Sequence, residues 1–296
     1  MAYTSGRYHL SNLLQDTYER LGQISTYLAT GGSTTTAVNA STGITDTNLT
    51  GTLFVLETTD NAAPEGEFQR LSAFATSTGT FTVDTAFTAV VGAGDFFRYA
   101  TPLYPLDSMI QLVNSGLRSL GPLVYVDTTT LDTASNQTEY TAAVEWKYQP
   151  IRVDIQTLTG DANDNQWQII SNWRYVPAVG GTAGLIVFDH QPTAVRDLRI
   201  WYKEPHARVN TYEDKIHEAI HPDLATSACV ERALRWLNGR TGYSDPGFVQ
   251  AWNESKQELQ NSKELYPIDQ EKRPSKLLNV ARGDITEEAE VGKVRL

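Results

Sequence analysis

The chain of 296 residues carries 35 acidic against 24 basic residues, a formal charge of −11, with 40% hydrophobic and 20% charged residues. That length supports two or three compact units with real cores, and the composition is globular rather than disordered. The acid excess argues against a surface built to grip a nucleic-acid backbone, which needs clustered Lys and Arg, whereas an acidic wall would let a duplex pass by like-charge repulsion. No apolar run approaches the roughly 20 residues of a membrane span. The polar start, Met1-Ala-Tyr-Thr-Ser-Gly-Arg7, lacks the apolar core of a signal peptide, so synthesis and residence in a cytoplasm are expected until assembly elsewhere. Cys229, the single cysteine, sits in an apolar helical pattern and is expected to be buried as a small hydrophobe.

The first predicted helix runs from about Tyr8 to Leu28, with Leu10, Leu13, Leu14, Thr17, Leu21, Ile24 and Leu28 on one face and Gln15, Asp16, Glu19 and Gln23 opposite. Gly31-Gly-Ser33 stops it. Residues 31–100 then read as a small all-β module: Gly51 to Glu57, Glu67 to Leu71, Gly79 to Asp84 and Gly94 to Tyr99 are β-branched and aromatic runs between turn-forming clusters. A second helix places Leu106, Met109, Ile110, Val113, Leu117 and Leu120 on one side, with Gly121-Pro122 at its end. The two helices are expected to be antiparallel neighbours, with the module inserted between them as a peripheral domain.

From Leu123 to Lys203 the period becomes two, most clearly at Ile151, Val153, Ile155 and at Leu198, Ile200, Tyr202, and several short strands suggest an antiparallel sandwich. Further strands are expected at Leu123 to Val126, Glu139 to Val144, Gln166 to Tyr175 and Gly184 to Phe188. A helix from Pro222 to Leu237, ended by Asn238-Gly239, carries Ala225, Cys229, Ala233, Trp236 and Leu237 near one stripe. Asp245-Pro246 caps a fourth helix bearing Phe248, Trp252, Ser255, Leu259, Ser262 and Tyr266. The expected fold is thus α+β: a four-helix bundle (residues 1–30 and 101–122, then 211–266), an antiparallel β-sandwich (123–210), the inserted small all-β domain, and an extended C-terminal arm (267–296). The arm mixes charges with Leu277, Leu278, Val280 and Ile285, a pattern suited to lying along a neighbouring chain.

One motif carries chemistry on its face. His217-Glu-Ala-Ile-His221 matches H-E-x-x-H, in which two histidines one helical turn apart bind zinc and the glutamate is a general base. Pro222 follows directly and disfavours helical geometry at His221, and Tyr212 to Lys215 is too polar for a buried metal helix, so a loop leading into the Pro222 helix is the better reading. A third ligand would have to come from Glu231 or Glu254. Asp161 and Asp164 with their neighbouring Asn residues lack the glycine and terminal glutamate of a calcium loop, and Arg282-Gly-Asp284 reads as coil rather than an adhesion tripeptide. Trp146, Trp167, Trp173 and Trp201 fall on strands, where core or interface roles are expected ahead of a carbohydrate platform. No catalytic, cofactor-binding or metal site is assigned, and the chain is read as a non-enzyme with no cofactor.

The order helix, insert, helix, β-sandwich, helix pair resembles the head-to-tail adaptor (connector) proteins of tailed bacteriophages. Asp197-Leu-Arg-Ile-Trp-Tyr202 and the segment His221-Pro-Asp-Leu-Ala-Thr-Ser-Ala-Cys-Val-Glu-Arg-Ala-Leu234 carry the likeness. The insert, with Gly31-Gly-Ser-Thr-Thr-Thr36, Gly51-Thr-Leu-Phe54, Thr78 to Asp84 and Ala93-Gly-Asp95, looks like a β module common in phage structural proteins. The resemblance implies a virion protein of the head-tail junction, forming a ring of about twelve subunits docked below the portal protein and joined to a downstream tail or neck protein. DNA would pass through its channel without sequence-specific binding, and the C-terminal arm would reach toward the portal. Another neck, fibre-base or host-binding virion protein is the alternative, followed by a zinc hydrolase using His217, Glu218 and His221.

Overall fold

The computed structural model describes residues 8–129, 131–142, 150–157, 167–179, 182–193, 195–241 and 246–268. The expected C-terminal arm beyond Ile268, the Asp161–Asp164 loop, the Arg282 tripeptide, Trp146 and the Asp245 cap lie outside them. The described chain is mixed α+β with antiparallel sheets and falls into two compact units, one of residues 1–122 and 205–268, the other containing 123–204. None of the described helices is long and apolar enough to cross a membrane.

In the first unit, α1 (Leu10–Arg20) is shorter than its periodicity predicts. Gly22 takes a φ of +67°, a left-handed geometry that costs glycine little, and the chain turns there into β1 (Ile24–Leu28). Ile24 and Leu28 continue the helical spacing, yet they bracket Ser-Thr-Tyr, and the β-branched and aromatic side chains here pair with a strand. Six more strands follow: β2 (Gly31–Gly32), β3 (Thr36–Val38), β4 (Gly51–Glu57), β5 (Phe68–Ala75), β6 (Thr80–Val83) and β7 (Phe96–Ala100). They form one antiparallel sheet in the order β1-β7-β4-β5-β6-β3-β2. Phe81 is its centre, fully buried, with ring centroids of Phe74, Phe97, Tyr99 and Tyr27 at 4.7, 5.3, 5.8 and 5.7 Å. Each such aromatic pair contributes about 0.5–1.5 kcal/mol beyond the area it buries.

This sheet is not the peripheral appendage expected from the sequence. Strand β4 is buried on both faces: Leu53 and Val55 enter the aromatic core, while Phe54 meets Tyr18 of α1 edge-on at 5.9 Å. The Tyr18 hydroxyl donates to the Tyr104 carbonyl at 2.6 Å, and Arg98 on β7 donates to Glu19 at 3.1 Å. Arg70 on β5 pairs with Asp107 at the start of α2 (Leu106–Ser119). The sheet therefore shares buried surface with the helices.

The remaining helices are α3 (Pro222–Thr241) and α4 (Pro246–Leu265). Asn238-Gly239 does not end α3, which continues for a further half turn, Gly239 being helical with open space where a side chain would sit. Helix α3 packs on α1, α2 and α4. Helices α1 and α2, expected to be direct neighbours, meet mainly through it. The reason lies in the small residues of α3: Ala225, Ala228, Cys229 and Ala233 are fully buried, and Gly116 of α2 lies so close that a Cβ there would stand 3.2 Å from the Cys229 sulfur and 3.3 Å from the Ala228 backbone.

The second unit holds β8 (Pro122–Asp127), β9 (Glu139–Thr141), β10 (Arg152–Gln156), β11 (Trp167–Ile170), β12 (Trp173–Val176), β13 (Leu185–Phe188) and β14 (Leu198–Pro205). They form a four-stranded sheet, β11-β10-β14-β8, and a three-stranded sheet, β12-β13-β9. Both contribute to one core, Val153, Leu198 and Ile200 from the first and Tyr140, Trp173, Ile186 and Phe188 from the second. The sequence-based boundary at residue 210 moves to 204, because the segment from Pro205 onward packs with the helices.

The close α2–α3 approach predicts that Gly116→Val, which inserts a branched side chain against backbone, destabilises the protein by about 1–3 kcal/mol or more. Equilibrium urea unfolding measures this, and an unchanged midpoint would show that the contact is looser than described.

Candidate functional site

The segment joining β14 to α3, residues 206–221, holds the motif with the sharpest chemical expectation. It is irregular, and it is tied down along its length. Val209 is buried, its N–H donates to Asn114 Oδ1 at 2.9 Å, and its carbonyl accepts from Asn114 Nδ2 at 2.7 Å. Leu10 N–H donates to the Asp214 carbonyl at 2.8 Å, and Ile216 N–H donates to the Tyr8 carbonyl at 2.9 Å. Ile216 and Ile220 are buried beneath. The start of α1, by backbone bonds, and the Asn114 side chain in the middle of α2 thus hold the approach to α3.

Within it, residues 217–221 form a turn, closed by an Ile220 N–H to His217 carbonyl bond of 2.9 Å, and α3 begins only at Pro222. The helical turn that would stack the two imidazoles for a shared metal is not formed, as the proline dictates. His217 Nδ1 accepts the Ala219 N–H at 3.2 Å. His221 lies flat on Tyr266, ring centroids 3.7 Å apart and planes 2° from parallel, with Nδ1 accepting the Asp223 N–H at 3.3 Å. The two residues are engaged separately, and Glu231 and Glu254 stand on α3 and α4 respectively. Among the described residues, no three or more His, Cys, Asp and Glu side chains are grouped to hold a metal ion.

A second feature went unread in the sequence. A groove of about 730 Å³ runs between the end of α1, the loop before α2, and helices α3 and α4. Leu21, Leu103, Val230 and Leu234 give it an apolar floor, and Glu254 and Glu258 stand on its α4 side. Arg20 at its end donates to Asp223 at 3.0 Å, to Ser227 at 3.0 Å and to Glu258. One guanidinium therefore joins α1, α3 and α4, with its planar fork dividing between two carboxylates. Ser227 and Ser262 meet beside it at 3.2 Å. Among the described residues its lining joins this apolar floor to the Glu254 and Glu258 carboxylates and includes neither histidine nor cysteine.

The described strand tryptophans divide between the core and an arginine-covered sheet face. Trp173 is in the core of the second unit. Trp201 and Trp167 lie on the other face of the four-stranded sheet, under Arg152 at 4.9 Å and Arg199 at 4.0 Å. Asp154 is fully buried there between the Trp201 indole N–H at 2.9 Å and Arg152 Nε at 2.7 Å. Cys229 is buried, and burial pushes its thiol up to about 12, which leaves it protonated and unreactive at neutral pH.

Compared with known proteins, the chain matches no protein-family model and no curated sequence.

Two outcomes follow. Asn114→Ala would strand a buried backbone N–H and carbonyl at Val209 and is expected to cost about 1–3 kcal/mol by chemical denaturation; a neutral effect would mean the segment is held elsewhere. Dialysis against a chelator should leave the melting temperature unchanged, whereas a fall reversed by added zinc would restore the metal reading of His217 and His221.

Proposed function

We propose that the protein is a structural component of a tailed-phage virion, a head-to-tail adaptor that assembles as a closed ring at the head-tail junction. The observation that carries this reading is the way the chain's two helical halves close on each other. After the intervening sheets α3 returns to pack on α1 and α2, with α4 packed on α3, and this order of elements is the one the adaptor resemblance expects. In this reading the four helices are the bundle of the adaptor, the two sheets of residues 123–204 are its β-sandwich, the seven-stranded sheet is the insert, and residues from 267 onward are the arm directed to the portal.

Charge and surface support it. A formal charge of −11 suits a channel wall that must not hold the DNA moving past it. Trp167, Trp201, Arg152 and Arg199 on one sheet face are the residue types enriched at protein interfaces. A lateral contact between unlike surfaces, repeated around an axis, closes a ring when its rotation divides the circle.

Electron microscopy of the purified protein, alone and mixed with its portal, tests this. Closed rings that stack coaxially on the portal are expected. A persistent monomer or trimer that ignores the portal would overturn the adaptor reading, and binding to cell-surface glycan by such a species would identify a host-binding component instead.

A further inference from the structure

Three histidines in one short stretch are put to a single use. His206 Nε2 accepts the His217 N–H at 3.0 Å, His217 Nδ1 accepts the Ala219 N–H at 3.2 Å, and His221 Nδ1 accepts the Asp223 N–H at 3.3 Å. An imidazole nitrogen accepts a hydrogen bond only while it carries no proton. His206 is the strictest case. It is 3% exposed, and its other nitrogen, Nδ1, lies 2.6 Å from the Ala207 carbonyl, which can only accept. Its partners therefore fix a neutral ring with the proton on Nδ1.

We propose that the segment between Pro205 and Pro222 is an acid-released clasp, closed by neutral His206 and opened when that ring takes a second proton. The doubly protonated ring has two donors, so Nε2–H would face the His217 N–H and one of them must turn away. The charges of His217 on the segment itself and of Arg118 on α2 oppose a positive charge at His206. The surroundings of His221 differ, because the Asp223 carboxylate stands 3.6 Å from Nδ1 and the Tyr266 ring covers its face. The geometry thus singles out His206.

Burial pushes the His206 pKa below the ordinary 6.5, with the Ala207 carbonyl opposing. A histidine with a depressed folded pKa leaves stability untouched well above 6.5, and the protein loses stability as pH falls from 6.5 toward the folded value, because the unfolded chain takes the proton first. The bonds that opening would release are the ones that anchor α1 and α2 to the approach of α3, through Val209, Asp214 and Ile216.

The full-length protein supplies the test. Nitrogen-15 spectra of its histidine rings should show a ring in the Nδ1–H form that titrates below 6.5 and is missing in His206→Asn. Hydrogen exchange of the 207–219 stretch, corrected for intrinsic rates, should accelerate through the same pH, and the melting temperature should fall between about pH 7.5 and about pH 5.5 more in the wild type than in His206→Asn. An Nε2–H tautomer at His206, titration at or above 6.5, or exchange of 207–219 indifferent to pH would overturn the proposal. Should His206→Asn fail to fold, the wild-type exchange profile decides alone.

Discussion

The close seating of α2 on α3 is the constraint on which the first unit depends. Gly116 supplies the absent side chain and Ala225, Ala228, Cys229 and Ala233 supply a face with almost no relief, so two helix backbones approach until little but backbone separates them. The gain is dispersion and apolar burial over the whole length of the contact, and it is intolerant of volume. The other helices of the unit are arranged around α3. Arg20 reaches from α1 to its first turn, Ser262 of α4 meets Ser227, and His221 at its head is covered by Tyr266 from beyond α4. The half-exposed Arg20 ion pairs contribute about 1 kcal/mol or less each. They fix which way the helices face; the buried small residues hold them together.

A consequence is that the unit is assembled from distant parts of the chain. Its helices come from before residue 122 and after residue 205, and the seven-stranded sheet enters between α1 and α2. Phe54 against Tyr18, and Arg98 against Glu19, make the sheet part of the helical unit's burial instead of an attachment to it. A sheet joined in this way has its near side committed to the fold of the helices.

Much of this was legible in the residues. The spacing of Leu106, Met109, Val113 and Leu117 located α2, the run Gly51 to Glu57 located β4, and alternation at Val153 and Ile155 gave the side of β10 that faces the core. Pro246 marked the start of α4, where Ser255 and Ser262 prove to be the buried members of the predicted stripe. The failures have physical causes. At Ile24 and Leu28 apolar spacing fits a helix and a half-buried strand equally, and the break at Gly22 rests on a positive φ that many glycines do not adopt. The strand pair Trp167–Ile170 and Trp173–Val176 read as one run because the turn at Ser171 and Asn172 lacks glycine or proline. The groove joins residues far apart in the chain, and the His206–His217 bond lies within an irregular segment that has no periodicity to read. Conversely the H-E-x-x-H spacing was visible in residues that form no helix, and Pro222 together with the polar Tyr212 to Lys215 told against it.

The central claim is that sheet and helices of the first unit form one cooperative body organised by α3. Native-state hydrogen exchange across a denaturant series tests this most directly, since it resolves which amides open together. Amides in the middle of α2 and α3 and those of β4 and β7 should converge on a single opening free energy. Strands β4 and β7 remaining protected under conditions where α3 exchanges freely would contradict the claim and show that the sheet stands by itself.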